Sequence, residues 1–119
     1  QSTSALLVTT KDYYAGHKDT VVRTLRAFAK ASDYLAANLD EATQQIATSV
    51  GGDAAQIKNV VSQQRYGLTF GPGVVSSLKA KYDFLVAAGK IEPYDFKAQF
   101  DTAALSEAVP GVEIDAQLK

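Results

Sequence analysis

The chain of 119 residues carries 12 Lys and Arg against 13 Asp and Glu, a net charge of −1, with both signs interspersed. That balance excludes a broad basic field for nucleic acid or an anionic membrane, and 46% hydrophobic with 21% charged residues excludes a disordered chain. With no cysteine and one histidine, disulfides, thiolate metal sites and cysteine nucleophiles are excluded, and a histidine-based active site is poorly supplied.

The length fits one domain with a core of its own. No apolar run approaches the roughly 20 residues that span a bilayer. The opening QSTSALLVTT has neither the charged region nor the long apolar region of a signal peptide, so an exported protein would have lost its signal or carry it upstream. Ala5–Thr9 is a compact apolar run flanked by Ser and Thr and is expected to be a short buried strand. The period turns helical at Asp19 or Thr20, and a helix is expected over about 20–38. Val21, Leu25, Phe28, Ser32 and Leu35 form its inner stripe, widened by Val22, Ala29 and Ala36.

A second helix is expected over 40–50, capped by Asp40, faced inward by Ala42, Ile46, Ala47 and Val50, and ended by Gly51. Asp53 and Gln56 have the capping-box spacing for a third, over 53–64, with Ile57, Val60 and Val61 inward. Tyr66–Phe70 is a strand or extended loop closed by Gly71-Pro72-Gly73. A fourth helix over 73–88 carries Val74, Val75, Leu78, Tyr82, Leu85 and Val86 and stops at Gly89. Short helical pieces fill 94–108, and VEIDAQLK is an edge strand or a frayed end. A single strand at Ala5–Thr9 leaves its backbone groups unpaired, so the chain is expected to complete a sheet supplied by other residues.

The order of these pieces carries a resemblance. VTT, then KDYY, then the acidic Asp19 in a first helical turn stand where one family has a strand, an aspartate–aromatic turn and a helix opening on Asn-Pro-Glu. Here the Asn and Pro are missing, and His17 stands at the helix start. Asn38-Leu39-Asp40-Glu41-Ala42, Arg65-Tyr66-Gly67 and Phe84–Ile91 follow in the family's order. Over roughly residues 5–109 the chain resembles the C-terminal part of periplasmic solute-binding proteins of ABC importers, in the subfamily for nitrate, taurine and alkanesulfonates. Related members bind thiamine-precursor pyrimidines.

The resemblance implies an α/β fold of the two-lobed type II kind, of which 1–119 would be a mostly helical portion. It implies a small anionic solute held between lobes that close on it, an ABC permease in the membrane as partner, and a periplasmic or extracellular location. It implies no cofactor, no metal, no nucleic acid and no catalytic residue. Ligand sites in such folds lie at strand ends, which puts Thr9, Thr10, Lys11, Tyr13 and Tyr14 forward. Hydroxyls and an ammonium donate to an oxyanion, and an aromatic ring covers its apolar part. The plainer reading has Lys11 solvated and the tyrosines packed on the first helix. An isolated fragment would expose a sheet edge and is expected to self-associate.

Two other functions have sequence features behind them. A pyrimidine-synthase-like enzyme of thiamine biosynthesis shares the family architecture but relies on histidine and cysteine-rich segments that this chain lacks. Residues 43–61, with Gly51 in the turn, have helix-turn-helix spacing. Their second helix offers Gln56, Lys58, Asn59, Gln63 and Gln64 behind Asp53, a poor set for phosphate.

Overall fold

Helix is the only regular structure that this backbone sustains, in a computed structural model that describes residues 4–119. Gln1–Thr3, the start of the opening read for a signal peptide, lie outside the described residues. The helices are α1 (Lys11–Ala37), α2 (Leu39–Val50), α3 (Ala54–Ser62), α4 (Pro72–Ala87) and α5 (Thr102–Ala108), with 3-10 turns at Lys97–Gln99 and Ala116–Leu118.

The α/β expectation is therefore corrected: among the described residues there is no sheet, only an isolated parallel bridge between Phe70 and Ile114. Ala5–Thr9 carries no strand pairing and stands exposed, Val8 at 87%. A strand is defined by its neighbour, and among the described residues no second strand pairs with this one. Tyr66–Phe70 is likewise irregular apart from Phe70, and the tail gives one bridged residue and a 3-10 turn.

The chain divides into two compact units, with the boundary after Leu25 inside α1. One unit takes the residues up to Leu25 together with Thr69–Lys119. Its core joins Val22, Ala104 and Ala108, flanked by Tyr14, Val21, Leu25 and Val109, while Val75 and Leu105 are also buried. Gly71 and Pro72 start α4: the Gly71 carbonyl accepts from the N–H groups of Val74 and Val75, and Pro at N1 gives up no needed donor. A Cβ on Gly71 would come within 2.6 Å of Glu113 Oε2, the end of a flexible side chain on the C-terminal segment that closes on the start of α4. There the Phe70 N–H donates to the Glu113 carbonyl and the Asp115 N–H to the Phe70 carbonyl.

The other unit is Arg26–Leu68. α2 and α3 pack as a hairpin whose turn is set by Gly51, left-handed at φ 72°, and by Asp53, whose carboxylate accepts from the Gln56 N–H at 2.9 Å. Both signals hold as expected. Asp40, in contrast, is not the cap: α2 begins one residue earlier, and Asp40 lies in its first turn, paired with Lys58 of α3. Ala42, Thr43 and Ala47 are the buried residues of α2, and Val50 of its expected inner face is 70% exposed. In α1 the expected stripe holds except at Phe28, 47% exposed, and Ala36: Val22 is buried, and Val21, Leu25, Ala29, Ser32 and Leu35 are half-buried.

Candidate functional site

The stretch from Thr9 to Tyr14 is a helix start rather than a strand end. α1 begins at Lys11, about two turns before the expected residue 20. Thr10 caps it: its Oγ1 accepts from the Tyr13 N–H and its carbonyl from the Tyr14 N–H, both at 3.1 Å. Asp12 lies in the first turn, where a carboxylate favours the positive end of the helix.

The helix then breaks and resumes at His17, which has non-helical φ −136° and ψ 33°. His17 Nδ1 stands 3.0 Å from the Tyr13 carbonyl. A carbonyl only accepts, so Nδ1 carries the proton and ties the ring back to the preceding turn. The imidazole stacks on the Tyr13 ring at 4.2 Å between centroids and 8° between planes. This side chain, expected to cap a helix at the surface, is exposed and splints a kink inside one.

Of the five candidate residues, Thr9, Thr10, Lys11 and Tyr13 are exposed around the start of α1. Tyr14 leaves them. It is half-buried against the Val22, Ala104 and Ala108 cluster, and its phenol is pushed up to about 12. The cause is first its hydrogen bond to Asp101, then burial, then the negative charges of Asp101 and Glu107. Thr10 is committed to its cap, and the Thr9 hydroxyl makes only a long bond of 3.4 Å to the Thr10 carbonyl. Left to meet a solute are the Lys11 ammonium, the Thr9 hydroxyl, the Tyr13 phenol and the first N–H groups of α1. Asp12, exposed among them, opposes an anion.

A concavity of about 370 Å³ was not legible from the sequence. Tyr82, Tyr94 and Phe96 form its aromatic wall, with Lys79 and Lys97 at its edge. Its polar groups already serve the fold. The Tyr82 hydroxyl donates to the Tyr94 carbonyl at 2.9 Å and accepts from the Tyr94 N–H at 3.1 Å. Lys79 is paired with Asp83, Lys97 donates to the Lys119 carbonyl, and Asp95 accepts from the Ala98 N–H. The place is an aromatic corner joining the end of α4 to the segment after it. The sequence signal was the run Tyr94-Asp95-Phe96 after Pro93, a turn whose aromatics fold back on Tyr82.

Residues 43–61 do fold as two helices joined by a turn, α2 and α3, but their chemistry does not suit DNA. Lys58, the one cation of α3, is held by Asp40, and the Asp53 carboxylate occupies the N-terminus where phosphate would approach. No group of three or more His, Cys, Asp or Glu able to hold a metal occurs among the described residues, and no helix there is long and apolar enough to cross a membrane. No family model matches the chain, and neither the curated proteins nor the solved structures offer a match.

Proposed function

We propose that this chain binds a small anionic solute, such as an alkanesulfonate, taurine or nitrate, as part of the substrate-binding component of an ABC importer outside the cytoplasmic membrane. Two things support the reading. One is the order of VTT, KDYY, Asn38–Ala42, Arg65–Gly67 and Phe84–Ile91, which is that of the solute-binding family. The other, which carries it, is the start of α1, where Lys11, the Thr9 hydroxyl and the Tyr13 phenol stand exposed around helix N–H groups. The family's two-lobed α/β fold is no part of the proposal.

The recognition is physical. An oxyanion at a helix start meets N–H donors and the positive end of the dipole. Lys11 adds a charge-assisted bond, and Tyr13, held flat by His17, offers a ring face to the apolar part of a sulfonate. Thr10, as the cap, fixes the direction of these groups without touching the solute.

The test titrates taurine, methanesulfonate and nitrate separately into the chain and follows backbone amide resonances. Shifts confined to Thr9–Tyr13 are expected, with affinity for the best anion falling about tenfold in Lys11→Ala, the loss of one charge-assisted bond. Absence of shifts there, or the same affinity in Lys11→Ala, overturns the reading.

A further inference from the structure

We draw no further inference here: the strongest candidate, the concavity walled by Tyr82, Tyr94 and Phe96 at the end of α4, has its edge groups engaged already, Lys79 by Asp83, Lys97 by the Lys119 carbonyl and Asp95 by the Ala98 N–H, and nothing in the structure shows what would fill it.

Discussion

The unit that contains Val75 and the unit that runs from Arg26 to Leu68 are held together in different ways. The first takes branched side chains out of water altogether: Val75 is fully buried, and Val22 and Leu105 nearly so. It is closed by residues far apart in sequence. The second hides Ala42, Ala47 and Thr43, while Val50 and Val60 stand more than half exposed. Small residues let α2 and α3 approach closely but remove little apolar area, so less hydrophobic stabilisation is available per residue. The hairpin leans instead on local signals: the Gly51 terminator, the Asp53 cap and the Thr43 hydroxyl bonded to the Leu39 carbonyl at 2.8 Å.

The sharpest test of that contrast removes one branched chain from each unit. Leu105→Ala is expected to cost about 3 kcal/mol, as burial without room to collapse dictates, whereas Val60→Ala should change stability by less than about 0.5 kcal/mol. Denaturant midpoints measured at constant slope decide it, and equal losses would erase the distinction.

The caps come next. Asp53→Ala loses an exposed cap and should cost about 1 kcal/mol. Asp101 caps α5 through the Ala104 N–H at 2.9 Å, so Asp101→Ala should also cost about 1 kcal/mol. The titration gives a second readout. The Tyr14 phenol is raised from 10.0 to about 12 in the fold, so its contribution to stability is complete below pH 10 and is lost as the pH climbs through 12. Spectrophotometric titration of the tyrosines should show this phenol return towards 10 in Asp101→Ala and stay in place in Asp53→Ala.

Glycines sharpen the comparison further. Gly51→Ala forces a side chain into the left-handed region and is expected to cost about 1 kcal/mol. Gly71 has an ordinary φ of −65°, and its added Cβ meets the flexible end of Glu113, so Gly71→Ala should cost less than Gly51→Ala in the same thermal melts. The smallest effect falls on the ion pair between α2 and α3. Lys58 and Asp40 are 48% and 81% exposed, and Lys58→Ala should shift stability by less than about 0.5 kcal/mol. A larger loss, measured by denaturation at low and high salt, would make the hairpin electrostatic.

What the sequence conveyed follows the same division. α2, α3 and their turn were legible because Gly51 and Asp53 act within a few residues of themselves. α4 was legible from the glycine and proline before it. The first turns of α1 were missed, because Gly16 and the paired tyrosines are weak helix formers, and the stack of Tyr13 on His17 that supports them forms only once the helix exists. The strand at Ala5–Thr9 was misread for the opposite reason: its composition is that of a strand, but strand formation belongs to a neighbour that composition cannot supply. Of the candidate site, Thr9, Thr10, Lys11 and Tyr13 do gather at one place. Tyr14 was lost to the cluster of Val22 with Ala104 and Ala108, residues some 90 positions further on that no local pattern announces.

The Thr69 hydroxyl reaches the Glu113 carbonyl over 44 residues of chain, and the bridge of Phe70 with Ile114 spans the same interval. Closing a loop of that length costs about 3 kcal/mol of chain entropy beyond a constant term, whereas the Gly51 turn brings α2 and α3 together almost without delay. The hairpin should thus be an early event in folding and the clasp at Phe70 a late one. Weakening the clasp would then leave the refolding rate nearly unchanged and hasten unfolding, so the lifetime of the folded chain rests on its last contact to form.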